Sequence, residues 1–231
     1  MRLLTRREYQ NTARDLLGDP FLPAFVLPAD QDDAASRFPF HATAPIAVAD
    51  AILYRNAAET LAKTAVKAIA TVLPCAATAA SADGSDSTCV AAFLAPAGFA
   101  AKVYRRPLAS REVTRLTALF ATARAQPHAL GFADAAGLVI EAMLQSSGFL
   151  YHWEVDPVAA VRDGKVVKLG GYEIANRLSY LLWGPMPDGP LFAAAAAGQL
   201  ADLAGVDAQV RRMLKDPRSA GAMADFFTDW L

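Results

Sequence analysis

The sequence predicts an all-α protein, an irregular bundle of roughly eight to ten helices, and three observations carry that reading. The 231 residues are 54% hydrophobic and only 19% charged, with alanine abundant throughout, which suits closely packed helices. Apolar residues recur at helical three-and-four spacing in segment after segment. The segments end at glycine, proline or capping residues rather than at the paired turns of a sheet protein. At most one small β-hairpin is expected, near residues 160–168, where Asp163-Gly164 separates the short alternating runs of "VRDGKVV".

The elements follow in order. Thr5 and Glu8 in "TRRE" have capping-box spacing, Tyr9, Thr12, Ala13, Leu16 and Leu17 share a face, and Gly18 can close the helix. A long loop, "DPFLPAFVLPADQDDAASRFPF", connects it to a helix from about Ala47 to Leu73, whose buried stripe is read as Leu53, Ala57, Leu61, Ala68 and Val72. A helix from Thr88 to Val103 should break at Pro96 and Gly98. Ser110 is placed to cap the next one, with Glu112 in its first turn and Val113, Leu116, Leu119, Phe120 and Ala123 on its buried side. Phe132 to Ser146 is helical. "YEIANRLSYLLWG" turns Ile174, Leu178, Leu181 and Leu182 inward, a short helix starts near Asp188, and "VDAQVRRMLKDP" and "RSAGAMADFFTDWL" supply the last two.

Charge excludes a general nucleic-acid binder: 22 basic against 23 acidic residues leave a net charge of -1, without a basic excess. No apolar run approaches the length of a transmembrane helix, and "MRLLTRREYQ" lacks the apolar core of an export signal. The chain is therefore either cytoplasmic or part of a longer precursor with its signal elsewhere. The two cysteines, Cys75 and Cys89, flank a loop of small and polar residues. Either they close it as a disulfide, which would add about 3 kcal/mol, or they are unrelated thiols in a reducing compartment; the disulfide is favoured. A zinc site has no support, because there is no CxxC pair and no histidine close by.

Three clusters bear on chemistry. In "KVYRRPLASRE", Pro107 pushes Arg106 out of the helical region, so Tyr104, Arg105 and Arg106 lie at a helix end. The two arginines form either a basic cap paired with carbonyls or an acid, or a clamp for carboxylate or phosphate. Together with Tyr104, the residues Tyr151, His152 and Glu154 of "SSGFLYHWE" are candidate cleft residues with acid–base groups, set against an aromatic helix end packed on the core. Arg177, within an otherwise apolar helix, suggests a structural ion pair, with Asp188 or Asp225 as partner. His41, His128 and His152 have no metal-ligand spacing, Asp32 and Asp33 read as a solvated turn, and the nucleophile-elbow, phosphate-loop, dinucleotide and CxxCH motifs are all absent. No metal and no cofactor is expected in the chain.

Taken together, "LTRREYQNTARDLLGD", "AAETLA", the Cys75…Cys89 loop, "VYRRPLASREVTRL", "SSGFLYHWE" and "YEIANRLSYLLWGPMPDGPLF…FFTDWL" resemble the large secreted proteins of planctomycetes and myxobacteria that are built from consecutive domains of unknown function. Many of those proteins also carry a cytochrome c-like haem domain. The resemblance implies three modules, 1–74, 75–156 and 169–231, the last interrupted near Leu231. It also implies an extracytoplasmic setting with the export signal outside this chain, which strengthens the Cys75–Cys89 pairing. Haem would belong to a separate associated domain, and the partners would be downstream domains of the same protein or that haem domain. The implied function is a non-catalytic scaffold or docking module; the alternative is part of an extracellular hydrolase or oxidoreductase completed by downstream domains. The chain departs from the pattern at Ala100, Ala101 and Lys102, where a glycine and two basic residues are expected, and at Ser146-Ser147 and His152, where Ser-Pro and an arginine are expected. These changes weaken any anion site shared through those positions.

Overall fold

The first helix starts where its caps are local. In the computed structural model, which describes residues 2–18, 22–30, 46–73, 75, 85–152, 161–163 and 166–230, a two-residue strand β1 (Arg2–Leu3) leads into α1 (Arg6–Leu17). The Thr5 hydroxyl accepts from the Glu8 N–H at 3.2 Å, and the Glu8 carboxylate accepts from the Thr5 N–H at 2.9 Å. That is the reciprocal capping box expected from the spacing. Gly18 closes the helix with φ of 63°, a conformation that costs glycine least. The chain divides into two compact units. One comprises Met1–Thr12, Ala29–Pro45 and Tyr151–Leu231; the other comprises Ala13–Pro28 and Ile46–Leu150.

The second unit is built from α2 (Val48–Lys67), α3 (Ile69–Val72), α4 (Ser85–Leu94), α5 (Phe99–Tyr104), α6 (Ser110–Arg124), α7 (Phe132–Leu144) and the single turn α8 (Ser147–Leu150). The buried face of α2 is Tyr54, Ala57, Ala58, Leu61, Ala62 and Ala65. Leu53, Ala68 and Val72 of the expected stripe fall off it: Tyr54 takes the inward position beside Leu53, and the helix ends at Lys67, which leaves Ala68 exposed at its cap and places Val72 on α3. Small residues let α7 approach closely: a Cβ added at Gly137 would lie 2.5 Å from Val66 Cγ2. On α6, Leu116, Phe120 and Ala123 are buried as expected, and Phe120 meets Phe132 edge-on at 5.4 Å. The expected break between α4 and α5 sits at 95–98, where a Cβ on Gly98 would strike the Ala92 and Phe93 carbonyls. Cys75 and Cys89 form a disulfide with Cα atoms 5.5 Å apart, pinning the chain after α3 to α4. The stretch Ser87–Tyr104 is apolar enough to cross a membrane by length and composition, yet it is two helices here and half of it is buried.

The first unit holds β1, the first turns of α1, β2 (Tyr151–His152), the expected hairpin β3 (Val161–Asp163) and β4 (Val166–Lys168), then α9 (Gly171–Leu182), α10 (Gly189–Ala196), a 3-10 turn (Gln199–Ala201), α11 (Leu203–Leu214) and α12 (Arg218–Trp230). β1 pairs antiparallel with β2, Arg2 opposite His152 and Leu3 opposite Tyr151. This second small pairing joins segments far apart in sequence and adds to the one hairpin that was expected. The core is Ala175, Trp183, Leu191, Ala194, Ala195, Leu200 and Met213, and the Trp183 indole N–H donates to the Met213 carbonyl at 3.0 Å. Asp188 caps α10 and Asp202 caps α11 through the N–H groups of Leu191 and Gly205. Leu181, read as inward-facing, is 75% exposed. Ser179 and Tyr180 take the buried side instead, since both hydroxyls find partners there: Ser179 donates to the Pro185 carbonyl and Tyr180 bonds Thr12, each at 2.8 Å.

Candidate functional site

The "YRRP" element is a junction in the second unit. α5 ends at Arg105, which adopts the left-handed conformation (φ 56°) and is 1% exposed. Its guanidinium donates to the Gly148 and Phe149 carbonyls at 3.2 and 2.8 Å and lies over the Phe149 ring. Buried carbonyls at the turn α8 thereby gain a charged donor. Arg106 turns the other way. It grips Glu112 with two bonds, 2.8 and 2.7 Å, donates to the Pro107 carbonyl at 2.9 Å, and covers the Tyr104 ring. Glu112 also accepts the Ala109 N–H at 2.7 Å, so Ala109 rather than Ser110 stands at the cap, with an acid doing the capping expected of a hydroxyl. Burial pushes the Glu112 carboxyl up, but Arg106 and the Ala109 N–H outweigh it and hold the group below the usual carboxylate range. Tyr104 is buried against Gly148, its hydroxyl accepts from Ser146 at 3.1 Å, and burial raises its pKa.

Tyr151 and His152 belong to the other unit, on β2. His152 is 8% exposed; its Nε2 is 3.5 Å from a Glu8 oxygen, and its ring stands edge-on to Tyr180 at 4.3 Å. Glu8 receives the Arg2 fork at 2.8 and 2.6 Å. Desolvation would raise this carboxyl; bonds and charges from His152 and Arg2 reverse that and hold it far below its ordinary range. Sequence reasoning missed Arg2 and Glu8 as site residues. The capping box placed Glu8 at a helix start, but nothing local signalled a histidine from the far side of the chain.

Arg177 lies on the exposed side of α9. The acids considered for it are engaged with other arginines: Asp188 takes both ends of Arg212 at 2.8 and 3.0 Å and has Arg218 at 3.7 Å, and Asp225 has Arg7 at 3.5 Å. Arg212 and Arg218 both lie over Trp183, Arg218 at 3.5 Å from the ring centroid. This cluster ties the start of α10 to the end of α11 and the start of α12. His128 is exposed in the turn between α6 and α7; His41, Asp32, Asp33 and Glu154 lie outside the described residues. Among the described residues, no group of three or more His, Cys, Asp or Glu side chains is placed to hold a metal ion.

Family models match the chain in three places. Residues 2–67 match PSD3, protein of unknown function (DUF1587); residues 89–154 match PSD5, protein of unknown function (DUF1595); residues 169–231 match PSD4, protein of unknown function (DUF1592). The chain carries three consecutive domains of unknown function. No curated protein and no solved structure matches it. The YRRP junction falls wholly within the PSD5 match. The Glu8 cluster does not respect the boundaries: Arg2, Glu8 and Thr12 come from the PSD3 match, His152 from the PSD5 match and Tyr180 from the PSD4 match.

Proposed function

We propose that the chain is a non-catalytic helical scaffold or docking module of an extracytoplasmic multidomain protein, working beside a cytochrome c-like electron-transfer domain carried elsewhere in that protein. The observation that carries this reading is the use made of Arg105 and Arg106. An anion clamp needs guanidinium donors turned toward an opening, whereas here one fork is buried on two carbonyls and the other is closed on Glu112. The Cys75–Cys89 disulfide supports an oxidising compartment. The haem-domain neighbour rests on the sequence resemblance alone.

Two measurements test it. Fractionation of the source cells with thiol alkylation should recover the protein outside the cytoplasm with both cysteines blocked; a cytoplasmic pool with free thiols refutes the setting. Thermal shifts with phosphate, sulfate and citrate on wild type and Arg106→Ala should show the same ionic-strength response in both. A stabilisation by one anion that disappears with Arg106 returns the junction to the clamp reading.

A further inference from the structure

Five side chains in the first unit form one connected path. Arg2 forks onto Glu8, Glu8 lies against His152, His152 stands edge-on to Tyr180, and Tyr180 bonds Thr12 at 2.8 Å. All but the first are largely buried: the side chains of Arg2, Glu8 and His152 are 23%, 13% and 9% exposed. Arg2 and His152 are direct partners across the β1–β2 pair. Two basic side chains opposite one another repel when both are charged. Glu8 lies against both, so its carboxylate decides whether a proton on His152 helps or harms the pairing. Tyr180 meets His152 with its ring and, through its hydroxyl, Thr12; neither carries a charge near neutral pH.

We propose that residues 2–12 form a clasp on the C-terminal helices and that protonation of His152 tightens it. With the imidazole neutral, the carboxylate faces a single full charge, on Arg2. A proton on His152 adds a second cation at 3.5 Å from a shielded carboxylate, where charge pairs count for more than at an exposed surface. Histidine ordinarily titrates near pH 6.5, so the clasp is tighter at about pH 6 than at about pH 8. The device joins parts of all three matched domains and lies outside the YRRP junction, so it stands independently of the function proposed above.

Hydrogen exchange on the whole chain tests it, with intrinsic exchange rates divided out and the amides of Leu3, Leu4 and Tyr9 followed at the two pH values. In the wild type, protection at these amides should rise severalfold on acidification. His152→Gln should abolish the dependence. Glu8→Gln should invert it, because only the Arg2–His152 repulsion is left. A flat wild type, or His152→Gln with the wild-type response, overturns the proposal. Should His152→Gln not fold, NMR of the wild-type histidine decides: its titration must track the protection of Leu3 and Leu4, and a titration out of step with them overturns the clasp.

Discussion

Arg105 combines a backbone and a side-chain role that substitutions can separate. A non-glycine residue in the left-handed region carries a cost of order 1 kcal/mol, and at Arg105 (φ 56°) the two carbonyl bonds from a buried guanidinium offset it. Arg105→Ala loses those bonds and keeps the strain; we expect a loss of about 2–3 kcal/mol in urea unfolding. Arg105→Gly loses the same bonds and relieves the strain, so it should be milder by about 1 kcal/mol. Equal or greater damage from glycine would mean that the backbone at this position is unstrained. Arg106 is more exposed, and its fork on Glu112 contributes less; Arg106→Ala should lower stability by about 1 kcal/mol. Unchanged stability would remove the structural account of the junction. Distance along the chain decided what was legible here. The Arg106–Glu112 pair spans six positions and lies within one motif, whereas Arg105 reaches carbonyls 43 and 44 positions away. The sequence could therefore offer "carbonyls or an acid" for these arginines without saying which took which.

At the scale of the helix, α2 and α7 are held at close range by an absent side chain. Alanine is favoured over glycine inside a helix by about 1 kcal/mol, so Gly137→Ala would stabilise α7 if there were room. The new Cβ would instead meet Val66 Cγ2 at 2.5 Å. A valine on a helix has one strongly preferred rotamer and cannot swing aside. Gly137→Ala should therefore destabilise the protein by about 1–2 kcal/mol, as overpacking does. Combined with Val66→Ala, the penalty should shrink, since the methyl groups that block the site are gone; strictly additive losses in the double mutant would show that the contact is not the cause. Helix faces were legible where one apolar stripe met one neighbour, as on α6 with Leu116, Phe120 and Ala123. They were misread on α9, where Leu181 is exposed and Tyr180 is inward. Hydrophobicity ranks leucine above tyrosine, and only a hydroxyl partner 168 positions away reverses the order. Capping boxes, glycine stops and the cysteine pair need only a short stretch of chain and were readable; the Glu8 cluster needs the folded chain.

Over the whole molecule, acid and base act on the fold with opposite signs. Glu8 and Glu112 titrate below the ordinary carboxylate value when folded, and Asp216 is lowered to about 2 by its hydrogen bonds to Arg218. A lowered folded pKa means that the unfolded chain takes up protons first as the pH falls. The stability that these carboxylates contribute is thus complete above the ordinary carboxylate range of about 4–4.5 and is lost as the pH drops through it. Asp216 lies at the surface with its partner Arg218, where charge pairs are screened and weigh little, whereas Glu8, shielded and double-partnered, weighs most. The urea midpoint should decline steadily as the pH falls from about 5 toward about 3. Glu112→Gln should begin lower at neutral pH and fall less steeply, and Glu8→Gln should show the larger change in slope. A wild type equally stable at both ends of that range would mean that neither carboxylate is held by its arginine in solution. On the clasp proposed above, His152 works the other way and in a separate window, around neutrality, where histidine ordinarily titrates and these carboxylates stay ionised. The acid branch and the clasp are therefore separable by pH alone, and His152→Gln should flatten the upper window while leaving the decline below pH 4–5 in place.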